Sequence, residues 1–142
     1  MYIKSVTLEN VKGFRSLSFD FERSPGTFAG WTVFVGGNAS GKSTILKSMA
    51  LAIVGPDASR ELLGNSSSWR GWLREGERRA EVTLAVTWDQ SVDRFRKGGA
   101  NPGRFFDAGM RFTLEGKGTA NDRDEVPLLR PIYKLTARRG AF

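Results

Sequence analysis

The sequence predicts an α/β fold in which a mixed or antiparallel β-sheet packs around the helix that follows a glycine-rich loop. Two observations lead to this prediction. A short run of aromatic and β-branched residues at 31–35 is followed by a glycine-rich loop and then by a helical pattern. Apolar residues alternate with polar ones in other stretches, as expected where side chains alternate between the two faces of a strand. The predicted strands lie at 2–8, 17–21, 80–88, 105–115 and 132–137.

The predicted central unit covers residues 31–55. Residues 31–35 favour a buried strand, because aromatic and β-branched side chains suit the pleated surface of a sheet. Residues 43–54 contain no proline or glycine, and their apolar members recur at helical spacing. Gly55 and Pro56 then predict the end of the helix, since glycine often ends helices and proline cannot continue one.

The residues that follow this unit are expected to form mainly loops. Residues 57–68 are expected to form a surface loop that begins with a short helix from Ala58 to Leu63. Trp69, Trp72 and Leu73 suggest a short helical turn beyond it. The next predicted strand begins only at Ala80.

The loop between the predicted strand and helix carries a phosphate-binding pattern. Gly36, Gly41, Lys42 and Ser43 have the spacing G-x-x-x-x-G-K-S, which is that of a P-loop. Its glycines permit backbone conformations in which consecutive N–H groups converge on an anion. The following helix adds unpaired N–H groups and the positive end of its dipole. The pattern therefore predicts a site for a nucleoside triphosphate.

Each residue of this loop has an expected role. Lys42 is the candidate catalytic residue, because the lysine of a P-loop reaches the β- and γ-phosphates. Ser43 is the candidate magnesium ligand, and Thr44 is expected to bond the α-phosphate. The expected nucleotide-binding set is Gly36, Gly37, Asn38, Ala39, Ser40, Gly41, Lys42, Ser43 and Thr44. The alternative is a glycine-rich turn that only caps an ordinary helix.

Composition narrows the classes of function. The chain has 142 residues, of which 39% are hydrophobic, enough for one domain with a modest core. It has no cysteine, which excludes disulfides, and no histidine, which excludes the commonest general base. Neither a signal pattern nor an apolar run of membrane-spanning length occurs, so a soluble cytoplasmic protein is expected. The net charge of +7 favours polyanions such as DNA, the alternative being a solvated basic surface.

Two stretches together resemble one family of ATPases. Residues 8–17 have the sequence LENVKGFRSL, and residues 36–46 have the sequence GGNASGKSTIL. They are similar to the start of SMC/RecF/OLD-like proteins, which are ABC-type P-loop ATPases often labelled AAA-family ATPases. The resemblance implies a P-loop NTPase fold with an ABC-ATPase-like N-terminal lobe, and ATP and Mg²⁺ as cofactors. It also implies homodimers of ATPase heads that enclose ATP and act in DNA maintenance, DNA repair or phage defence.

The resemblance assigns three further positions. Asn38 matches the asparagine of the family's G-x-N-G-x-G-K-S loop. Ala39 replaces its usual glycine, a mild change that leaves phosphate binding in place. Arg15 occupies the family's basic position after the first strand, which implies a place near the nucleotide phosphates. The alternative for Arg15 is an exposed arginine in a turn.

Elements that the family uses for hydrolysis are missing from the sequence. A Walker B element is an apolar strand that ends in an acid, but Asp89 is followed by Gln90, and Asp124 and Glu125 follow a polar stretch. The signature Ser-Gly-Gly and the switch histidine of the family are also absent. Gln90 remains a candidate Q-loop glutamine, with an ordinary loop residue as its alternative.

These absences predict that residues 1–142 form the N-terminal lobe of an ATPase head. Residues 1–55 would hold the first strands, the P-loop and the first helix, and 56–142 a loop-rich region with antiparallel strands. The C-terminal lobe is expected to be missing, and to come from a longer polypeptide or a partner chain. Without its strand, residues 33–35 would lie near an open sheet edge.

Three functions remain open at this point. The first is ATP binding, with Mg²⁺-dependent ATP hydrolysis only in the complete protein, so that this chain alone is not expected to turn over ATP. The second is a non-hydrolysing nucleotide-binding switch or interaction module. The third is a small P-loop kinase. Two strands precede the P-loop here, whereas kinases usually open with the P-loop strand, so the third is the least favoured.

Overall fold

The computed structural model describes residues 1–28, 30–63, 71–87, 105–115 and 128–137. These ranges contain seven strands and one helix. In chain order the elements are β1 (Tyr2–Val11), β2 (Phe14–Asp20), β3 (Glu22–Ser24), β4 (Thr27–Phe28), α1 (Lys42–Leu63), β5 (Arg79–Thr87), β6 (Phe105–Glu115) and β7 (Leu128–Ala137). The described chain is therefore α/β, as predicted.

Five of the strands form one antiparallel sheet in the order β2-β1-β5-β6-β7. This arrangement confirms the strands that alternation predicted, although β7 begins at Leu128 rather than after Pro131. β1 pairs with β2 on one side and with β5 on the other. The start of the chain is thus joined directly to its later strands.

One face of this sheet packs against α1 and forms the core. Val82, Leu84 and Val86 on β5 are at most 1% exposed, and all three lie on the side that the alternating pattern predicted. Burial of such side chains is the main favourable term in folding. The core also includes Val6 and Leu8 of β1, Met110 and Phe112 of β6, and Ile45, Leu51 and Ala52 of α1.

Gly55 interrupts α1 without ending it. Its backbone has φ 82° and ψ 179°, which is not helical, and a positive φ of this size favours glycine. The Ser59 hydroxyl donates to the Leu51 carbonyl across the interruption, at 3.2 Å. The predicted helix end at Gly55 and Pro56 is therefore confirmed as a break between two helical segments, and the second segment contains the predicted short helix at 58–63.

The predicted buried strand at 31–35 is wrong. Residues 30–37 contain no strand, and Trp31, Val33 and Val35 are 88%, 76% and 91% exposed. Phe34 is half-buried and meets aromatic rings of the β2 region edge-on. A strand requires a neighbour that takes up its backbone hydrogen bonds, and no described strand pairs with this segment. Strand propensity alone does not supply that neighbour.

A small hairpin of β3 and β4, which the sequence did not predict, leads into this segment. The Glu22 carboxylate accepts hydrogen bonds from the Lys4 ammonium (2.7 Å) and the Gly26 N–H (2.6 Å). These two donors hold the pKa of Glu22 below its usual value. Phe28 stacks on Tyr2 with their ring centroids 5.2 Å apart. The hairpin is therefore fixed to the start of β1.

Trp72 and Leu73 do not form the predicted helical turn. Leu73 forms a β-bridge with Val11, and the buried ring of Trp72 stacks on Phe112. Contacts with residues distant in sequence therefore determine the conformation of both residues. Trp69, Asp89, Gln90, Asp124 and Glu125, on which other predictions rested, lie outside the described residues.

Within the described ranges, no helix combines the length and the apolar character needed to cross a membrane.

Candidate functional site

The predicted phosphate loop connects the exposed segment 31–35 to the start of α1. The Ile45 N–H donates to the Gly41 carbonyl at 3.0 Å, so Gly41 caps the helix and Lys42 is its first residue. The N–H groups of residues 42–44 have no preceding helical carbonyl to bond. The first turn of α1 contains no acidic residue. This end of the helix is therefore a favourable place for an anion.

The Lys42 side chain folds back over the loop. Its ammonium donates to the carbonyls of Gly36 (2.7 Å) and Gly37 (2.6 Å) and contacts Ser40 Oγ at 3.3 Å. All three partners are neutral. Among the described residues, no carboxylate forms an ion pair with Lys42. The loop thus holds a positive charge in a fixed place and does not neutralise it.

The backbone of the loop restricts its side chains at three positions. Gly41 has φ +90°, and a Cβ there would overlap the ring of Phe14. A Cβ on Gly36 would lie 2.9 Å from Ser40 Oγ. Ala39 has φ 63°, a left-handed conformation that costs a residue with a Cβ about 1–2 kcal/mol. The backbone at Ala39 therefore explains why glycine is the usual residue in this place.

The loop tip and the first turn of α1 carry the remaining predicted ligands. Asn38 and Ser43 are exposed and Thr44 is half-buried, all on the loop or just after it. No cluster of His, Cys, Asp or Glu side chains that could hold a metal occurs in the described ranges. Mg²⁺ commonly takes one or two protein ligands together with phosphate oxygens and water. The role of Ser43 as a magnesium ligand stays a prediction.

Arg15 is the neighbour of a residue that contacts the loop. It follows Phe14, whose ring touches Gly41, and its side chain is exposed. Within the described part of the chain it has no ion pair or hydrogen bond. Its contact with nucleotide phosphates stays a prediction, because the geometry places only its neighbour against the loop.

Sequence reasoning missed the residues that support the loop from the side. Phe14 stood in the stretch that resembled the ATPase family, and its position there was the only available signal. For the segment from Trp72 to Arg74 the sequence predicted only a helical turn at Trp72 and Leu73, and not the contacts to the β1–β2 turn, because these contacts are long-range. These contacts include a hydrogen bond from the Lys12 N–H to the Trp72 carbonyl, at 2.9 Å.

α1 also has an apolar side that faces away from the sheet. Leu46 and Ile53 are 52% and 41% exposed. Together with Met49, Phe34, Phe21 and Tyr2 they line a cavity of about 390 Å³ next to segment 31–35. Contiguous exposed apolar surface of this kind usually marks an interaction site.

One family model and several known proteins are similar to this chain. The AAA domain family matches residues 5–122. A DNA double-strand break repair Rad50 ATPase of Methanopyrus kandleri is 30% identical over 130 residues, covering 86% of this chain and 13% of the relative. The Rad50 ATPase of Nanoarchaeum equitans is 30% identical over 95 residues, or 67% of this chain and 10% of the relative. Septu protein PtuA of Bacillus mycoides is 31% identical over 62 residues, or 44% and 9%.

The chain spans about a tenth of the length of these curated relatives. The family match, by contrast, covers most of the chain and includes the whole phosphate loop. The protein therefore belongs to the AAA domain family and corresponds to the N-terminal region of an SMC/Rad50-like ABC-type P-loop ATPase.

Proposed function

We propose that this chain binds ATP at residues 36–44 and forms one part of an ATPase head. The backbone N–H groups of residues 38–44 surround the phosphates, and the Lys42 ammonium neutralises the β- and γ-phosphates. The Thr44 hydroxyl bonds the α-phosphate. Arg15 adds a second positive charge from the β1–β2 hairpin. The negative charge of the triphosphate is thus bound by the N–H groups at the start of α1 and by the Lys42 ammonium.

The position of Lys42 carries this proposal. Its ammonium sits within hydrogen-bond distance of two loop carbonyls and has no described carboxylate partner. Carbonyl oxygens orient an ammonium but do not cancel its charge. A phosphate group would both orient the Lys42 ammonium and neutralise its charge. Hydrogen bonds between charged partners are also stronger than those between neutral ones.

Ser43 is the proposed magnesium ligand. Its exposed hydroxyl would hold the ion at the start of α1, with phosphate oxygens as further ligands. The ion supplies charge neutralisation on the phosphates. The chain's own contribution is to position the triphosphate against the loop amides and Lys42.

The head is proposed to need a second segment. Segment 31–35 lacks a strand partner among the described elements, and the adjoining face of α1 is open and apolar. A C-terminal lobe of a longer polypeptide, or a partner chain, would add a strand beside 31–35 and the acid that activates water. The far greater length of the relatives supports this arrangement. Two such heads would then form a homodimer around ATP.

The proposed pathway is DNA maintenance or defence, in the cytoplasm. Two relatives are named as DNA double-strand break repair ATPases, which supports a role in DNA repair. The net charge of +7 supports contact with DNA. Anti-phage defence follows from the SMC/RecF/OLD-like sequence features of the first 46 residues.

A non-hydrolysing switch is the second candidate. The observation that favours it is that the sequence lacks a Walker B acid after an apolar strand, the signature Ser-Gly-Gly and the switch histidine. In this case ATP binding would change the affinity for a partner, and no bond of ATP would be broken. A hydrolysis measurement on the complete protein separates this candidate from an ATPase head.

Calorimetric titration with ATP and Mg²⁺ tests the binding proposal. Lys42→Ala is expected to weaken binding about 10- to 100-fold, because a hydrogen bond to a charged group contributes about 1.5–3 kcal/mol. Lys47→Ala is the matched control, since Lys47 is exposed on the same helix and outside the loop. The control is expected to bind ATP as the parent chain does. Equal affinity of the Lys42→Ala and parent proteins would rule out the proposed site.

A phosphate-release assay tests the claim of an incomplete site. Residues 1–142 with ATP and Mg²⁺ are expected to release phosphate no faster than the Lys42→Ala variant. Turnover by the parent chain that Lys42→Ala abolishes would show that this chain holds a complete catalytic set.

A further inference from the structure

The ring of Phe14 lies directly against the backbone of the phosphate loop. A Cβ built on Gly41 would lie 2.7 Å from Cε2 of Phe14 and closer still to Cζ. Such distances leave no space between the ring edge and the Gly41 α-carbon. Phe14 is half-buried at the start of β2 and also packs against the hydrophobic core. One side chain therefore joins the loop to the core.

The turn that carries Phe14 is itself held by the segment 72–74. The Lys12 N–H donates to the Trp72 carbonyl (2.9 Å), and the Arg74 N–H donates to the Asn10 carbonyl (2.8 Å). The Arg74 guanidinium donates to the Gly13 carbonyl at 3.1 Å. The Lys12 ammonium lies 4.7 Å from the centroid of the Trp72 ring, a cation–π distance.

These contacts form a continuous support from the core to the loop. Trp72 is buried and stacks on Phe112 of β6, with ring centroids 6.1 Å apart. Trp72 holds the turn through Lys12, and the turn places Phe14 on Gly41. Each link is a direct contact between described residues.

A support of this kind has a consequence for phosphate binding. Glycines give the loop conformational freedom that must be lost when its N–H groups converge on an anion. Gly41 is the residue at which the loop becomes helix. A ring packed on its α-carbon limits the conformations of that junction before any ligand arrives. Ligands bind more tightly to a group that is already ordered.

We propose that Phe14 is a positioning residue for the phosphate loop, acting through Gly41, and that the segment 72–74 holds it in place. The inference rests on the proposed ATP site but adds a residue that does not touch the nucleotide. It also gives the β1–β2 turn a role beyond joining two strands.

Substitution of Phe14, followed by two measurements, tests this inference. The first is the ¹⁵N relaxation order parameter of the amides at 36–44 in the nucleotide-free chain. The second is the ATP dissociation constant with Mg²⁺. Phe14→Ala is expected to lower the order parameters across the loop and to weaken ATP binding about tenfold.

Leu17→Ala is the matched control. Leu17 is a half-buried apolar residue of the same strand and packs on the same core, but it pairs with Leu8 away from the loop. Its truncation is expected to leave both the loop order parameters and the ATP affinity at the parent values. A loss in the Leu17→Ala protein equal to that in Phe14→Ala would overturn the positioning role in favour of general destabilisation.

Phe14→Leu covers the case in which Phe14→Ala does not fold. Leucine keeps an apolar side chain in the core and removes Cζ, the ring atom nearest Gly41. Phe14→Leu is expected to weaken ATP binding about threefold and to loosen the loop. Parent-like order parameters and affinity in this folded variant would overturn the inference.

The two proposals fail in different ways. A parent chain that binds no ATP contradicts the proposed function, yet its nucleotide-free order parameters still report on the contact between Phe14 and Gly41. ATP binding that depends on Lys42 but not on Phe14 supports the function and overturns the inference.

Discussion

The two sides of α1 are made of similar residues and have opposite environments. On the side that faces the sheet, Ile45, Leu51 and Ala52 are buried in the core. On the other side, Leu46 and Ile53 remain largely exposed beside segment 31–35. The first side is covered because β1, β5 and β6 pair with one another and present a continuous apolar face. The second side is open because no described strand pairs with 31–35.

Two valines show what this difference teaches. Val82 lies in a strand with partners on both sides and is 0% exposed, whereas Val35 is 91% exposed and in no strand. Their side chains have identical propensities, so propensity does not decide between these outcomes. The presence of neighbouring strands decides whether each valine is buried. In the described chain, no strand pairs with residues 31–35. The comparison can be tested at three points.

The largest expected effect separates these valines directly. Val82→Ala is expected to lower the free energy of unfolding by about 2 kcal/mol, because it removes two buried carbons and leaves a cavity. Val35→Ala is expected to change it by less than about 0.5 kcal/mol, as at other exposed positions. Urea denaturation of the two variants measures both values. A loss at Val35 as large as that at Val82 would show that 31–35 is already buried in a sheet.

Two buried serines on the covered side of α1 are expected to behave oppositely. Both are 0% exposed, but the Ser48 hydroxyl has no hydrogen-bond partner among the described residues, whereas that of Ser59 bonds Leu51. Ser48→Ala is expected to raise the free energy of unfolding by about 1 kcal/mol, since it removes an unsatisfied group and favours helix. Ser59→Ala is expected to lower it by about 1 kcal/mol. Thermal unfolding of both variants would contradict the hydrogen-bond assignment if their effects had the same sign.

The smallest expected effect concerns the polar face of the sheet. Glu81 accepts hydrogen bonds from Arg111 (3.0 and 3.2 Å) and Arg79 (2.8 Å). Burial raises the pKa of Glu81, but these hydrogen bonds and charges outweigh it and hold the pKa below its usual value of 4.5. A lowered folded-state pKa stabilises the fold above about pH 4.5, and this contribution is lost as the pH falls through the folded-state pKa.

Glu81→Gln is therefore expected to lower the free energy of unfolding at pH 7 by less than about 1 kcal/mol. The difference from the parent chain should shrink as the pH falls below 4.5. Glu77→Gln is the control, because Glu77 is exposed and outside the sheet. Chemical denaturation between pH 3 and 7 measures the trend, and a Glu81→Gln penalty that grows towards low pH would contradict it.

Local patterns of sequence predicted the sheet and the side of α1 that packs on it well. β5 and β6 were predictable because alternation along a strand reports one buried face, and Val82, Leu84 and Val86 all lie on that face. α1 was predictable because its apolar residues recur at helical spacing and Gly41 precedes it. The loop before α1 was predictable as a turn because it depends on a few glycines that are close in sequence, whereas its binding of phosphate stays a prediction.

Features that depend on distant partners were not predictable. Segment 31–35 has the composition of a strand, but its state depends on residues elsewhere in the fold. Trp72 is buried by Phe112 and held to the β1–β2 turn, and neither contact has a local signature. Gly55 marked a real break in the helix, but the hydrogen bond from Ser59 to Leu51 across that break had no local signature. The contact of Phe14 with Gly41 could be seen only once both were placed in space.

The central claim has two parts. The loop at 36–44 is a complete phosphate-binding loop, and the helix that follows it is covered by the sheet on one side but exposed beside 31–35 on the other. Hydrogen exchange of residues 1–142, with and without saturating ATP and Mg²⁺, tests both parts in one measurement. The amides of 36–44 are expected to become protected when ATP is added, whereas those of 31–35 are expected to exchange rapidly without a partner. Unprotected loop amides at saturating ATP, or slow exchange at 31–35 in the chain alone, would contradict the claim.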